Sequence, residues 1–505
     1  MQRALRRSAS RCARGESFRV RRVVAGAASR SAPGAVMFEA MRRRARKRVL
    51  FAFSIMLAVA GSVLSCAGAL ATPAAAGKGA TEVTLTQGAS LPGVSVAMPA
   101  VGLSLEYPVM ATDLGAGACP APALVSALTQ LGSPPISLAG DSQDMTVPEG
   151  ALSGAPSSWE TATLYTLRAS FWSQLHCLLS DTHDPLTVGL NLKTGQPAWT
   201  AQIVAGAQSA ATNGLAFSLG NEPDLYMLPN YSALAHPAAN EEALQVGLYL
   251  QLASAMEPLL GGAPVIGPEL AAPSRWQHEL PRVIAQLHLA TVGVHAYPLT
   301  ACVTPKAATV GGLLTQYAAD EPQKLAAVVV AADAAGVPAI ISEANSVSCG
   351  GVAGVSDSPA SAVWAVRFVL SALKTGFQEV RFHFSGDPYD PFVVQGETVL
   401  KRPLDYALAA LNQWLPVGAS LRTVKGVRGL VATSVTTPAG QTLLILDNEH
   451  ARAQKVVVRK ATGVRVETIS PALAGVQSSQ LRARRGRVKL TLPANSVVAL
   501  TATSG

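Results

Sequence analysis

Two stretches of sequence decide the fold: LAFSLGNEPD at residues 215–224 and PAIISEANS at residues 338–346. Each is a short apolar run that ends in polar residues, with Glu222 in the first and Glu343 in the second. Continuous apolar runs of this length are typical of parallel strands that are buried on both faces. The two stretches therefore predict two parallel strands, each ending at a glutamate.

Six further runs of the same kind lie along the chain, and longer helical patterns separate many of them. They are VGLSLEY (101–107), PISLAG (135–140), LTVGLNL (186–192), PVIGPEL (264–270), TVGVHAY (291–297) and EVRFHFSG (379–386). The helical patterns cover residues 164–180, 240–260, 321–336 and 358–376. Eight such strands with connecting helices over roughly 300 residues predict a (β/α)8 TIM barrel. In this order Glu222 follows the fourth strand and Glu343 ends the seventh.

The pattern changes near residue 419 to short alternating strands separated by Gly, Pro and Asn turns. These are GLVATSVTT, QTLLILDN, KVVVR, VRVETIS, RVKLTLP and SVVALTAT. Such a pattern predicts an all-β sandwich. We therefore place a catalytic barrel at residues 99–418 and a C-terminal β-sandwich domain at residues 419–505. Residues 78–98 alternate in the same way and are expected to add strands to that sandwich.

The 505 residues are 49% hydrophobic and 14% charged, which excludes a disordered protein. The net charge of +9 is unevenly distributed: residues 1–48 carry +13, residues 49–450 carry −13 and residues 451–505 carry +9. Because the leader supplies the overall basicity, we predict no nucleic-acid partner. The basic C-terminal segment either forms a solvated face of the sandwich or attracts polyanionic glycans through long-range electrostatics.

The N-terminal residues have the layout of an export signal. A basic run from Met41 precedes the apolar stretch FAFSIMLAVAGSVLSCAGAL, and small residues follow, so we expect cleavage near Ala71 or Ala76. Residues 41–77 are then signal peptide and linker, and residues 1–40 a disordered upstream extension. The protein is expected to be a secreted or cell-surface monomer. Lipid attachment at Cys66 is the alternative and the one expected membrane link.

Four cysteines follow the leader, and an even number in an exported protein favours disulfides. We expect the pairs Cys119–Cys177 and Cys302–Cys349, because the latter two would lie in loops at the same end of the barrel. Four buried thiols are the alternative.

The two strand-end glutamates are candidates for catalysis. Function in TIM barrels collects at the C-terminal ends of the strands, and glycosidic cleavage needs two facing carboxylates. Either glutamate alone could instead cap a helix or pair with an Arg. The combination of Asn221-Glu222-Pro223 after a fourth strand with Glu343 at a seventh favours the catalytic interpretation.

The motifs GNEPD (220–224) and SEANS (342–346) resemble those of the retaining clan A glycoside hydrolases. With SEANSVSCGG (342–351), HAYPL (295–299) and VGLSLEYP (101–108), the chain resembles glycoside hydrolase family 79, which includes β-glucuronidases and heparanase-like endo-glucuronidases. This resemblance implies a cofactor-independent glycosidase that cleaves β-linked glucuronic acid from a carbohydrate. It implies that Glu222 is the acid/base, that Glu343 is the nucleophile and that Tyr297 donates its phenol to Glu343.

Other residues are candidates for binding the sugar. Asn221 is placed to donate to the sugar 2-hydroxyl. His295 points the same way as Tyr297 and either contributes to the site or is an ordinary core histidine. The resemblance implies that backbone amides of the loop 348–351, including Cys349 and Gly350, bind the substrate carboxylate together with Tyr389.

The sequence departs from the family at the second strand, which reads Ser137-Leu138-Ala139-Gly140-Asp141-Ser142 in place of an Arg-Ile-Gly-Gly-Asn-Ser type motif. Asp141 and Asp144 are expected to bind sugar hydroxyls. No Arg or Lys stands at a strand end, where it would be the usual partner of a substrate carboxylate. A clan A glycosidase for a neutral sugar is therefore one alternative, and a non-catalytic carbohydrate-binding or adhesion protein is another.

One polar cluster could suggest metal ligands, within LHCLLSDTHD at residues 175–184. Its spacing matches no zinc pattern, and a helix end followed by a polar loop explains it, so no metal site is predicted there. The sequence also lacks a phosphate-binding glycine loop, a GxSxG elbow and an HExxH motif.

Overall fold

The computed structural model describes residues 80–86, 88, 93–151, 164–227 and 241–503. The predicted upstream extension, the signal peptide and Cys66 lie outside these residues. The described part of the chain belongs to one compact unit. None of its helices has the length and apolar character that crossing a bilayer requires.

Eight parallel strands close into a barrel in chain order, each hydrogen-bonded to the next, with the eighth paired to the first. The (β/α)8 barrel predicted from the sequence is therefore confirmed, and each of the eight apolar runs contains one strand. In order, the barrel strands are Val101–Glu106, Ile136–Ala139, Leu186–Leu190, Leu215–Leu219, Val265–Leu270, Thr291–Ala296, Ala339–Ala344 and Val380–Phe384.

Helices connect these strands and cover the barrel. The described helices are Tyr107–Asp113, Pro122–Gln130, Ser170–Thr182, Pro197–Ala210, Glu242–Met256, Leu280–Gln286, Val310–Leu313, Gln316–Ala319, Ala326–Ala335, Pro359–Thr375 and Pro403–Trp414. The helix expected over residues 164–180 is partly wrong. Its first residues form the strand Tyr165–Leu167, which pairs with Thr146–Pro148, and the helix begins only at Ser170.

The C-terminal strands form the predicted sandwich. A seven-stranded sheet packs against a three-stranded sheet, and apolar residues of both sheets, such as Leu444, Val456 and Val488, form the core between them. Its strands from residue 420 on are Ser420–Val424, Val431–Thr436, Thr442–Asn448, Gln454–Arg459, Gly463–Ile469, Gln477–Arg482, Arg487–Leu492 and Ser496–Ala502. The sequence patterns missed two of these strands. One is Ser420–Val424, and the other is Gln477–Arg482, an exposed strand whose polar sequence QSSQLR shows no alternation.

Two strands that precede the barrel pair with strands that follow it. Thr81–Thr84 lies parallel to Gln454–Arg459, and Val94–Ser95 lies antiparallel to Ser420–Val424. The chain thus enters the sandwich, makes the whole barrel and returns to the sandwich.

The helix Pro359–Thr375 joins the barrel to the sandwich and is buried on nearly all sides. A buried ion pair lies at this junction: Arg367 Nη2 donates to Asp447 Oδ1 at 2.7 Å, and Arg367 Nε donates to Asp447 Oδ2 at 2.9 Å. Forked contacts of this kind fix geometry as well as charge.

Both expected disulfides are present, Cys119–Cys177 and Cys302–Cys349. The second one reinforces a short parallel pairing between Leu299–Thr300 and Val347–Ser348, in the loops that follow the sixth and seventh barrel strands. Cys177, part of the polar cluster considered above, is held in the first disulfide.

Candidate active site

Ionisable side chains gather at the C-terminal ends of six barrel strands. Glutamates end the first strand, follow the fourth and lie near the ends of the fifth and seventh, and histidines lie near the ends of the sixth and eighth. They are Glu106, Glu222, Glu269, Glu343, His295 and His383. The end of the barrel at which function is expected is therefore the end where charge is concentrated.

The structure brings Glu222 and Glu343 together, with one carboxylate oxygen of each within 4.8 Å of the other. Retaining glycosidases hold their two carboxyl groups about 5–5.5 Å apart, whereas inverting enzymes need about 6.5–9.5 Å. The close approach fits the retaining geometry.

Glu222 has a left-handed backbone conformation, with φ of 49°, in the turn that leads into Pro223–Leu225. Non-glycine residues in this conformation are uncommon and often lie at functional sites. Its N–H donates to the carbonyl of Glu269 at 3.0 Å, which ties the turn to the fifth strand. With 21% of its side chain exposed, Glu222 is the more accessible of the two facing glutamates.

Two buried aspartates fix the ends of this turn. Asp224 accepts hydrogen bonds from the N–H groups of Ala271 and Ala272. Asp144 accepts from the N–H groups of Leu192 and Asn221 and from the Tyr226 hydroxyl. Asp144 is buried and both of its oxygens have protein donors, so it positions Asn221, and its expected contact with a sugar stays a prediction.

Glu343 is buried and faces donors on both sides of its carboxylate. The Tyr297 hydroxyl donates to Oε1 at 2.8 Å, and Nδ1 of His295 lies 3.7 Å from the same oxygen. On the other side, Nδ1 of His383 lies 3.4 Å from Oε2. The Tyr297 hydroxyl orients the carboxylate, and the two histidines lie where they can compensate its negative charge.

His295 lies among three carboxylates. Its Nδ1 is 3.1 Å from Glu222 Oε1, and its Nε2 is 3.4 Å from Glu269 Oε2. Burial alone would lower the pKa of His295, but the charge of Glu343, followed by the contacts with Glu222 and Glu269, raises that pKa well above its ordinary value. The three carboxylates therefore favour the protonated ring, whose Nδ1 faces Glu222 and whose Nε2 faces Glu269.

Local irregularities in the sheet place Glu269 where it can reach His295. The pairing of the sixth strand skips Glu269 on the fifth strand and Ser342 on the seventh, and such bulges re-aim side chains beside active sites. The Ser342 hydroxyl donates to the Glu269 carboxylate. Both side chains pass over Gly293, where an added Cβ would lie 2.8 Å from the Ser342 hydroxyl oxygen and 3.0 Å from the Glu269 carboxyl carbon. The glycine therefore makes room for this pair.

His383 and Glu106 form a second pair on the far side of Glu343. Nε2 of His383 is 3.5 Å from Glu106 Oε1, while Glu106 also accepts from the N–H groups of Asp141 and Ser142. Burial works against the charged ring, but Glu343 and Glu106 raise the pKa of His383 to about 9.

Asp141 lies at the edge of this group and keeps solvent access. Desolvation by the surrounding protein, together with the charges of Glu106, Glu222 and Glu343, raises the pKa of Asp141 to about 7. The Asn221 amide donates to its Oδ1 at 3.4 Å. Asp141 can therefore reach a ligand.

The loop after the seventh strand bends sharply over the eighth. Cys349, Gly350 and Gly351 have φ values of 66°, 87° and 70°, and an added Cβ at Gly351 would lie 2.9 Å from the Tyr389 ring. Tyr389 is buried, and its hydroxyl is 2.9 Å from the Ser385 hydroxyl, which donates to Asp387. The predicted carboxylate-binding residues thus pack together.

Three residues of the site were not selected from the sequence: Glu106, Glu269 and His383. The same signal that identified Glu343, a polar residue near the end of an apolar strand, is present in VGLSLE, VIGPEL and VRFHF.

Among the described residues, Glu222, His295 and Glu343 form the group whose ligand atoms are close enough to hold a metal ion. Metal binding requires a neutral imidazole. The neighbouring carboxylates raise the pKa of His295 well above its ordinary value, which opposes that neutral form.

Comparison with known proteins finds no match to a protein-family model or to a curated protein. The fold is similar to that of a 4-O-α-L-rhamnosyl-β-D-glucuronidase from Fusarium oxysporum 12S, with a TM-score of 0.60 and 18% identity over 84% of this chain and 99% of that one. It is also similar to a GH51 arabinofuranosidase from Xanthomonas axonopodis pv. citri (TM-score 0.59, 14% identity, 84% and 99% covered). A GH30 endoxylanase from Clostridium papyrosolvens C71 is similar as well, with a TM-score of 0.51 and 11% identity over 84% of this chain and 100% of that one. The chain therefore has the barrel-and-sheet fold that these glycoside hydrolases share.

Proposed function

We propose that the protein is a retaining glycoside hydrolase in which Glu343 is the nucleophile and Glu222 the acid/base. The observation that carries this proposal is the approach of the two carboxylates to within 4.8 Å at the ends of the fourth and seventh strands. Their surroundings differ in the way that the two roles require. Glu343 is buried among hydrogen-bond donors, while Glu222 is more accessible to a leaving group and to water.

The reaction takes two steps. Glu343 attacks the anomeric carbon while Glu222 protonates the departing glycosidic oxygen, which leaves a covalent glycosyl-enzyme. Glu222 then removes a proton from water as the water displaces Glu343, and the original anomeric configuration is restored. Tyr297 and His383 hold the carboxylate of Glu343 in place, and Asn221 is available for the sugar 2-hydroxyl.

The substrate class that we infer is a β-linked glucuronide or a related uronide, and we assign the chain to glycoside hydrolase family 79. Support comes from the packing of Gly350 and Gly351 against Asp387 and Tyr389, in the region where family members bind the sugar carboxylate. One enzyme of similar fold is a rhamnosyl-glucuronidase. Two disulfides support export to an oxidising compartment.

A panel of aryl β-glycosides tests this proposal. We expect the glucuronide to be cleaved with a higher kcat/KM than the glucoside, galactoside or xyloside. Tyr389→Phe should raise KM for the glucuronide. The expected loss of binding free energy is that of one hydrogen bond to a charged group, about 1.5–3 kcal/mol. Tyr406→Phe, on an exposed ring, is the matched control and should change nothing. An absence of hydrolysis across the panel would favour the non-catalytic carbohydrate-binding alternative.

A clan A glycosidase for a neutral sugar is the second candidate, and the charge of the site favours it. Glu106, Asp141, Glu222, Glu269 and Glu343 surround the mouth, while the described cations in ion-pair contact with these carboxylates are His295 and His383. These carboxylates repel an anionic sugar but do not repel a neutral one. Faster cleavage of the glucoside than of the glucuronide would decide for this candidate.

A further inference from the structure

The three-stranded sheet of the sandwich has one apolar face and one basic face. Alternate side chains of a strand point to opposite sides. Val83, Val456, Val458, Val488 and Leu492 point into the core. The residues between them point outward, and we define the basic face as Lys455, Arg459, Arg487 and Lys489.

Like charges are placed together on the basic face at a cost in stability. Arg459 lies directly opposite Arg487 in the antiparallel pairing, and Lys489, two residues further along the same strand, lies opposite Val457. Like charges that face each other across a sheet are destabilising. A local arrangement of like charges that works against the fold is typical of a functional surface.

The face has one acidic neighbour among its described residues. Glu82 pairs with Arg459, and its hydrogen bond with Arg459 lowers the pKa of Glu82. No described carboxylate lies at ion-pair distance from Lys455, Arg487 or Lys489. Lys455 and Lys489 are therefore available to an external anion, together with Arg487, whose charge also interacts with that of Glu82.

The adjoining hairpin adds more positive charge. Arg482, Arg484 and Arg485 are exposed in the segment that leads to Arg487, where Arg484 and Arg487 exchange backbone hydrogen bonds to close the turn. From residue 451 onward ten Lys and Arg residues stand against the single acid Glu467, and Glu467 contacts Arg465.

We propose that the basic face and its hairpin bind a polyanionic polysaccharide. Cations on neighbouring strands are about 5 Å apart and those along one strand about 7 Å apart, a flat array that many charges of one linear chain can contact together. Arginine also forms paired hydrogen bonds with carboxylate and sulfate groups. The net charge of −13 on residues 49–450 repels such a polymer from the rest of the protein, which confines attachment to this end.

The absence of aromatic side chains among the described outward residues favours a polysaccharide over single-stranded nucleic acid. Proteins that bind single strands stack bases on aromatic side chains. The described outward residues of these three strands include Glu82, Thr84, Val457 and Thr491 beside the cations, and none is aromatic.

The test measures binding of the full chain to immobilised heparin and to polygalacturonate at several NaCl concentrations. The triple variant Lys455→Ser, Arg487→Ser, Lys489→Ser removes three cations of the face. The control variant Arg168→Ser, Lys306→Ser, Lys425→Ser removes three exposed cations from elsewhere and changes the net charge equally.

We expect the face variant to lose at least about tenfold in heparin affinity at 0.15 M salt and to show a shallower salt dependence, because fewer counterions are released. The control variant should bind like the wild type, and both should keep the wild-type rate on a small aryl glycoside. Equal binding by the wild type and the face variant would overturn the proposal, as would equal losses in the two variants. Tighter binding of duplex DNA, with the same dependence on the face, would assign the surface to nucleic acid instead. Because binding is measured without turnover, the result does not depend on the proposed hydrolase activity.

Discussion

His295 holds Glu222 and Glu269 on opposite sides of one ring, with Nδ1 3.1 Å from Glu222 and Nε2 3.4 Å from Glu269. The acid/base proposed here is therefore linked through His295 to a third glutamate that is as deeply buried as Glu343. Glu269 is a positioning residue, since it acts on Glu222 through the charge and orientation of His295.

Replacing Glu269 should change the titration of His295. Glu269→Gln removes a negative charge that favours the imidazolium, so the pKa of His295 should fall, and the alkaline limb of the pH profile for kcat should move to lower pH. NMR titration of the histidine and a pH–rate profile measure the two effects. Glu257→Gln, which alters an exposed Glu–His pair, is the matched control and should leave both unchanged. An unaltered pKa of His295 would remove Glu269 from this role.

Variants of the two facing glutamates should lose hydrolytic activity in different ways. Glu343→Ala should abolish turnover of an aryl glycoside, since the covalent intermediate cannot form. Glu222→Ala should slow turnover least for good leaving groups, which need no proton. Azide should restore part of the rate of either variant by occupying the vacated space.

Proton NMR of the wild-type reaction should show the β anomer first, and an initial α product would contradict the pairing.

The two disulfides should differ in effect although they span similar lengths of chain. The cysteines are 47 residues apart in Cys302–Cys349 and 58 apart in Cys119–Cys177, so on the chain-entropy account each contributes about 4 kcal/mol. Replacing either pair by serine should lower Tm. Only loss of Cys302–Cys349 should also raise KM, because that bond holds the loop beside Tyr389. Peptide mapping of non-reduced protein checks the pairing, and equal KM values in the two double variants would separate the loop from substrate binding.

Thermal stability should fall as the pH rises from 5 to 8. Burial raises the pKa of Asp184 and Asp224 to about 6 and that of Asp113 and Asp390 to about 7. An Asp in the unfolded chain titrates near 3.9, so between pH 4 and 7 the folded state binds more protons, and stability decreases as these are lost. His383, with a pKa of about 9, acts in the same direction, since its contribution is lost as the pH rises towards 9.

Asp184→Asn isolates one of these groups. The variant should be more stable than the wild type at pH 8 and should gain nothing at pH 4, where the wild-type aspartic acid is already neutral. Asp181→Asn, at an exposed position near the end of the helix that precedes Asp184, is the control and should follow the wild-type curve. Calorimetry across this pH range decides, and parallel curves for all three proteins would contradict the assignment to Asp184.

The sequence was sufficient to predict the barrel, the sandwich, both disulfides and the facing glutamates. Parallel strands are continuous apolar runs, and the polar residues that end them must meet at one end of a closed barrel. The pairing of Glu222 with Glu343 therefore needed only the order of the strands.

The rest of the site could not be derived in this way. The bulges at Gly293–His295 interrupt the two-residue alternation, so the direction of the Glu269 side chain is not encoded in its position along the strand. The burial of Asp144 depends on the Tyr226 hydroxyl and on backbone groups of other strands, which meet it only after the barrel has closed.

The return of the chain to the sandwich restricts how the protein can be divided and how it can be made. Thr81 donates to the carbonyl of Arg428, which is 347 residues away, and Val83 packs in a core completed by the last strands. During synthesis the strand Thr81–Thr84 has no partner until the strand Gln454–Arg459 has emerged. A barrel truncated before residue 419 would keep that unpaired edge and its apolar side chains, a combination prone to intermolecular association. The barrel is therefore not an independent unit, and its solubility depends on the sandwich strands that are translated after it.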